Sequence, residues 1–550
     1  MMMFAPTRHR CNTMHAPMSQ RAAHRGSVVV VVVWAVAVAA VLVSATQIVT
    51  FRQAVVGRET LARVQARVQA RWAARAGMEQ MVAIMEFHLQ NADPDDPMAV
   101  VRDMEEHATG TTATGSWDIR HFLDGLEWAG PLDEGAKLNI NVATSVQLTN
   151  IPNMTPDVVD AIVDWRDADD NVQGLGAESD YYSNRSLGYK PRNGNFRSFA
   201  ELELVAGAWP LYVRGEDWNL NGRLDPNEND GNKSFPNDKP DGKLDGGWSK
   251  FLTATSVQSP MSLSGENKLP LKGADPESLT KRLGIDAEQA KALTTYGNQP
   301  NAKPEALIAT PLSQLSAGGT GGSSGTGGTG GARGSTGGKT GGSTSGGGST
   351  SGGRGTGGGG GGSSGGMSVS TSGGAQTVSG GAAGGRGSTS AGGSSSAGGG
   401  SSGRSSSGRS SGGTTGASAV ADLTNAQLRA VLRETTADDF TKPVPGRMNI
   451  NTVPDSVLKE VLEIDPRLAD AIIARRRAKP EGITSLADLS DMSGINPTVL
   501  TQLATQFDVT SSVYTVTSRG RAATTGAEVE IEAVVDKSQL PAKIISYREQ

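Results

Sequence analysis

The sequence predicts an α+β protein. One long N-terminal helix lies on a small antiparallel sheet, and an all-helical domain is inserted between the strands of that sheet. Three observations predict this. An uncharged run from Ser27 to Val49 continues without proline to about Gln90. Related helical stretches begin at Lys137, Lys268 and Arg447. Apolar and polar residues alternate near the C-terminus, in "VYTVTSRGRA" and "AEVEIEAVVDK".

Composition narrows the function classes first. The chain has 550 residues, enough for several domains, and its net charge of -5 argues against a coat for nucleic acid. Cys11 is the sole cysteine and there are 6 histidines, so disulfide, zinc, haem and iron–sulfur chemistry have little to work with. Most of the 73 glycines fall between Ala317 and Gly416.

The N-terminal run spans roughly 35 Å as a helix, enough for a bilayer's hydrocarbon core. A plain anchor and an assembly helix suit that length; it is long for the apolar part of a cleaved signal, although "VSAT" could pass for a weak cleavage site. Charge leaves orientation open, because Arg8, Arg10, Arg21 and Arg25 precede the run while Arg52, Arg58, Arg63 and Arg67 follow it. Beyond it, Arg63, Arg67, Arg71 and Arg75 recur every fourth residue beside Val64, Val68 and Trp72, the pattern of a continuous amphipathic rod. The arginine stripe is either a solvated face or a surface for acidic neighbours.

A short basic leader, then Gly26, an uninterrupted apolar helix and an amphipathic continuation together resemble a type IV pilin or pseudopilin. The resemblance implies cleavage by prepilin peptidase between Gly26 and Ser27, with Ser27 as an N-methylated terminus. Members usually carry glutamate at the fifth mature position, where this chain has Val31. The minor pseudopilin K of type II secretion systems also lacks that carboxylate. A tip subunit has no terminal amine above it to neutralise, so a buried carboxylate there only costs free energy.

The repeats share a spacing. Leu138, Leu269 and Met448 each precede a leucine, Leu148, Leu279 and Leu458, by ten positions. Each repeat has a downstream partner: "FRSFAELELVAG", "IATPLSQLS" and "ITSLADLSDMSG". In the middle copy Pro270 and Lys272 replace the N-x-N of the others. The units resemble helix-hairpin-helix modules, whose DNA binding needs glycine-rich hairpins that bring bare N–H groups to phosphate. Here the hairpins read "PNMT" and "LEID", and Glu463 and Asp465 would repel phosphate. A structural use is expected, with no nucleic-acid partner.

The string "LNINVATSVQLTNIP…AIVDWRDADD…GAESDYY…YKPRNGNFRSFAELELV" is similar to the most distinctive region of the pseudopilin K family. That resemblance implies a helical domain inserted into a small pilin-like α/β domain. The expected parts are a leader at 1–26, a transmembrane stretch at 27–49, its amphipathic continuation at 50–90 and a pilin-like part at 91–140. Then follow an inserted helical domain at 141–316, a Gly/Ser/Thr-rich tract at 317–418, a second helical part at 419–508 and closing strands at 509–550. Strands near Gly125–Trp128 and Ala136–Ile140 are expected to join the C-terminal ones.

The metal signal is "DWNLNGRLDPNE", which fits a calcium loop of the EF-hand type. Asp217, Asn219, Asn221, the Arg223 carbonyl, Asp225 and a bidentate Glu228 supply the oxygens, and Gly222 permits the turn. The bland alternative is a polar turn. Two weaker acidic groups are candidates for a second ion: Asp167, Asp169, Asp170, Glu178 and Asp180, and Asp238, Asp241 and Asp245. Calcium of this structural kind suits an extracytoplasmic location. The Gly/Ser/Thr tract has too few apolar groups for a core and is expected to be a disordered tether.

No nucleophile–base–acid set is present, so no enzyme is expected. The resemblance implies a single-pass inner-membrane protein with a periplasmic C-terminal part, at or near the tip of a pseudopilus. Its implied partners are other minor and major pseudopilins and prepilin peptidase, with secreted cargo or the outer-membrane channel as further candidates. The alternative is a membrane-tethered helix-hairpin-helix DNA receptor of the competence type. Terminal sequencing of the membrane-extracted protein discriminates: a methylated start at Ser27 is expected, and a start at Met1 or beyond Val43 would contradict it.

Overall fold

The computed structural model describes residues 25–184, 188–317, 420–462 and 464–550. The leader before Arg25, Glu463 and the Gly/Ser/Thr tract, apart from Ala317, lie outside the described residues.

Helix α1 runs unbroken from Arg25 to Gln90, 66 residues. Its first half is exposed on every side and is long and apolar enough to cross a membrane. Its second half buries one face: Ala66, Ala70, Ala73, Ala74, Met78, Met81 and Met85. The opposite face leaves Val64, Val68 and Trp72 in solvent. A short helix α2, Ala99–Glu106, folds back on it, and His88 Nε2 meets the Asp103 carboxylate at 3.0 Å.

Seven strands form one sheet: β1 (Thr109–Thr111), β2 (Gly115–Leu123), β3 (Leu126–Ala129), β4 (Leu132–Asp133), β5 (Val513–Ala522), β6 (Glu528–Asp536) and β7 (Lys543–Glu549). The order is β1-β2-β5-β6-β7, with β3 on β2 and β4 on β5, all antiparallel. Chain segments about 400 residues apart are therefore neighbours: Ser518 pairs with Ile119 and Gly520 with Trp117. One expectation needs correction. Ala136–Ile140 contributes nothing to this sheet, because Leu138–Asn139 pairs with Leu252–Thr253 instead. The N-terminal strands that join β5 are β4 and β2, and the "GSWDIRHFL" of β2 hides its alternation behind half-buried polar residues.

Helix α1 crosses the sheet at very short range. A Cβ on Gly520 would stand 2.0 Å from the Ala70 carbonyl oxygen, and one on Gly77 would meet Trp117 at 2.5 Å. Small residues on both sides let Met78, Met81 and Met85 pack into Ile119, Tyr514, Val516, Ile531 and Val535. Burial of each such side chain contributes about 1.5–3 kcal/mol.

The three repeats are closed units. Each opens with a two-residue strand that pairs, in parallel, with one at the unit's end. Leu138–Asn139 meets Leu252–Thr253, Leu269–Pro270 meets Thr435–Thr436, and Met448–Asn449 meets Phe507–Asp508. The first and third share a core. The middle unit has its own, built around Leu271, Leu279, Leu283, Leu293, Leu307 and Val431.

The N-x-N of the outer units is a pin. Asn141 accepts from Phe196 N–H at 2.7 Å and donates to its carbonyl, while Asn451 treats Ile483 the same way at 2.8 and 3.0 Å. At the end of each second helix an arginine caps the same turn. Arg166 donates to the Ile140 and Ala143 carbonyls, and Arg476 to Ile450 and Val453. These bonds tie the first half of each unit to its downstream segment. The middle unit, without the asparagines, instead buries Glu434 among Arg282, Arg433, Ser262 and Ser264.

Gly520→Val is expected to cost at least about 1–3 kcal/mol through overpacking against α1 backbone. Asn451→Ala is expected to cost about 1–3 kcal/mol by removing the side-chain partner of Ile483 N–H and of the Ile483 and Val509 carbonyls. Denaturant unfolding of the detergent-solubilised chain measures both; wild-type midpoints would refute this packing account.

Candidate functional site

The loop Asp217–Glu228 lies where the first helical unit meets the sheet. Its fold follows from its sequence. The Asp217 carboxylate accepts from Asn221 N–H at 3.0 Å and Gly222 N–H at 3.0 Å, curling the chain back. Gly222 takes a φ of +66°, in the left-handed region that side chains avoid. The Asn219 and Asn221 side-chain oxygens accept from Asn221 N–H and Arg223 N–H. The Glu228 carboxylate returns to the loop, accepting from Trp218 N–H and Asp225 N–H at 3.1 Å each.

The loop's charges are unbalanced. Asp217 and Glu228 are 3% and 1% exposed, and their hydrogen-bond donors in the described residues are backbone amides alone. Burial pushes Asp217 up to about 6 and Glu228 up to about 8, with neighbouring carboxylates adding to the latter. Two buried carboxyls facing inward fit a hard cation that takes oxygen ligands.

Asp225 differs. Its Oδ1 accepts from Arg519 Nη2 at 2.5 Å, and its Oδ2 from the amides of Asn219 and Asn221 at 2.9 and 3.0 Å. Arg223 turns its guanidinium to the sheet, donating to the Asp118 carboxylate at 2.9 Å. Sequence reading missed these sheet partners, which lie over a hundred residues away in the chain.

Of the second acidic candidates, the structure brings Asp167 and Glu178 together and adds Asp164. Among the described residues, these three offer carboxylate oxygens within 4.8 Å of one another. Both oxygens of Glu178 are buried without a hydrogen-bond partner among the described residues. Burial, then the charges of Asp164, Asp167, Asp170 and Asp169, push Glu178 up to about 7. The Asp-x-x-Asp spacing of Asp164 and Asp167 at a helix end was the available signal for Asp164.

Asp169, Asp170 and Asp180 stand outside the trio. Asp169 caps Asn171 N–H, and Asp170 accepts from Ser179 and Asn193. Asp238, Asp241 and Asp245 do not converge either. They bind Gly231 N–H, Lys243 N–H and Lys250 Nζ respectively, so the second string folds as a polar loop organised partly by Glu216.

The hairpins offer little to phosphate. Asn153 in the first unit and Gly284 in the second occupy the same turn position with φ of +62° and +63°. In the third, Asp465 itself accepts from Arg467 N–H at 2.9 Å and Leu468 N–H at 3.4 Å. The helix-terminal amides that would bind an anion already hold a carboxylate.

The family model described as type II secretion system (T2SS), protein K, matches residues 138–214. A helix-hairpin-helix motif model matches residues 446–508. Among solved structures, the chain is similar to one in the crystal structure of the GspK–GspI–GspJ complex from the type 2 secretion system of enterotoxigenic Escherichia coli. Identity is 10% and the TM-score 0.36, over 89% of this chain and 99% of that one. No curated protein matches. The stretch similar to type II secretion protein K, residues 138–214, lies inside the first helical unit.

The raised carboxyls set a pH dependence. Glu178, Asp217 and Glu228 hold their protons in the folded chain over a range where the unfolded chain has released them. The folded state then binds more protons, so stability falls as pH rises. In chelator, the melting temperature is expected to drop from about pH 5 to about pH 8, and Glu178→Gln or Glu228→Gln to flatten the slope. A level wild-type profile in calorimetry would contradict this.

Proposed function

We infer that the chain serves as a minor pseudopilin of a type II protein secretion system. The protein K match over 138–214 carries this reading. The architecture agrees with it: a membrane-length helix continues into the core of a small sheet domain, and helical units are inserted between that domain's strands.

Finer features are proposals that rest on this. Prepilin peptidase cuts after Gly26, Ser27 becomes the methylated terminus, and the C-terminal part lies in the periplasm. The chain sits at or near the pseudopilus tip, where Val31 in place of a glutamate removes a carboxylate that no subunit above would neutralise. The exposed Val64, Val68 and Trp72, flanked by arginines, provide a face for the helices of other pseudopilins. Cargo and the outer-membrane channel are the candidates for what a capping subunit touches.

Calcium has a structural part in the proposal. Asp217, Asn219, Asn221, the Arg223 carbonyl and Glu228 would hold one ion in the loop, with Asp225 beside them. Asp164, Asp167 and Glu178 would hold a second. In each place the ion would supply positive charge to buried carboxyls: among the described residues Glu178 has no hydrogen-bond donor, and Asp217 and Glu228 have backbone amides alone.

The DNA-receptor alternative is disfavoured by Asp465, which occupies the helix terminus a phosphate would need. On the proposed reading, the full chain in detergent co-purifies with other pseudopilins and takes up calcium at millimolar concentration. It gives no salt-dependent shift of DNA. A robust shift, with no pseudopilin recovered, would favour the receptor.

A further inference from the structure

The loop Asp217–Glu228 has two faces with different partners. One is the pair of carboxyls described above, Asp217 and Glu228, facing inward. The other is bonded to the sheet at every turn. Phe122 N–H of β2 donates to the Gly222 carbonyl at 2.7 Å, and Thr517 Oγ1 of β5 donates to the Asn221 carbonyl at 3.0 Å. Asn221 Nδ2 donates to Glu530 Oε1 of β6 at 2.8 Å. Arg519 holds Asp225 and, at 2.9 and 3.1 Å, the Glu530 carboxylate.

We propose that Asp225 is a latch rather than a direct calcium ligand: through Arg519 it joins the loop to the sheet, so that cation binding by the loop and docking of the helical unit on the sheet are one coupled event. Both Asp225 oxygens are spent on protein donors, one on Arg519 and the other on the two asparagine amides. The same asparagines place their oxygens toward the loop interior, accepting from Asn221 N–H and Arg223 N–H. A cation that draws in those oxygens fixes the amides that hold Asp225, and Asp225 fixes Arg519. Coupling of this kind is reciprocal: whatever the ion does for docking, the sheet does for ion affinity. Arg519 is thus a positioning residue, 294 positions from Asp225 in the chain.

This rests on the reading that the loop binds calcium. The test uses the full chain in detergent, wild type beside Glu228→Gln, Asp225→Asn, Arg519→Met and the double variant. Calcium affinity is read by titration calorimetry, and amide exchange at Phe122 and in β5 by mass spectrometry. Glu228→Gln should weaken calcium by more than about a hundredfold, as loss of a direct ligand does. Asp225→Asn and Arg519→Met should each weaken it about five- to twentyfold, with the double variant no worse than either alone. Calcium should slow exchange at Phe122 in wild type but not in Arg519→Met. Wild-type affinity in Arg519→Met, with Glu228→Gln impaired, overturns the latch and leaves the calcium site standing. Asp225→Asn falling as far as Glu228→Gln makes Asp225 a ligand and also overturns it. No uptake by wild type removes the site and the latch together.

Discussion

Everything in this molecule hangs on the short approach between α1 and β5. Helix and strand touch through Ala70, Ala74 and Gly520, with almost no side chain between them. That contact lets one end of a membrane-length helix become the central rib of a sheet domain. It also dictates that β5, from the C-terminal part, lies beside β2, from the N-terminal part. The inserted units must leave and return at this seam.

A second constraint sits at the seam itself. Asp133 is buried at the end of β4, and burial raises its pKa against four hydrogen bonds that favour the charge. Its carboxylate receives Ser511 Oγ, Thr452 Oγ1 and Asn449 Nδ2 at 2.8, 2.6 and 3.2 Å, plus Gly135 N–H. Asn449 and Thr452 belong to the third helical unit, and Asp133 and Ser511 to the edge of the sheet domain. One carboxyl therefore holds the point where the chain passes from one architecture to the other. Hydrogen-bonded buried charge is tolerated only when its partners are complete, which favours a single arrangement.

How much of this was legible in the sequence depended on range. The long helix, the repeat spacing and the Asp217–Glu228 loop are local patterns, and local patterns survive reading one residue at a time. The N-x-N signature was visible as a repeat, but its work, pinning Phe196 and Ile483, was not. Strand β2 carries no clear alternation because its polar residues are half-buried by the Asp217–Glu228 loop and by β1 rather than lying in solvent. The acidic trio was half-read: Asp167 and Glu178 were named, while Asp164 sits on a helix whose apolar neighbours disguise it. The partners of Asp225 and Arg223 had no local signal at all, since both lie on strands far along the chain.

The closed form of the middle unit is local in origin. On the two sides of the Gly/Ser/Thr tract, Ser313 Oγ meets Asp422 Oδ1 at 2.9 Å, and Gln289 holds the carbonyls of Ala421 and Asp422. The neck from which the tract departs is thus fixed by hydrogen bonds that do not depend on what lies between. The middle unit is thus closed by contacts that its own described residues make with one another, Leu271, Leu293 and Val431 in the core and Ser313 with Asp422 at the rim.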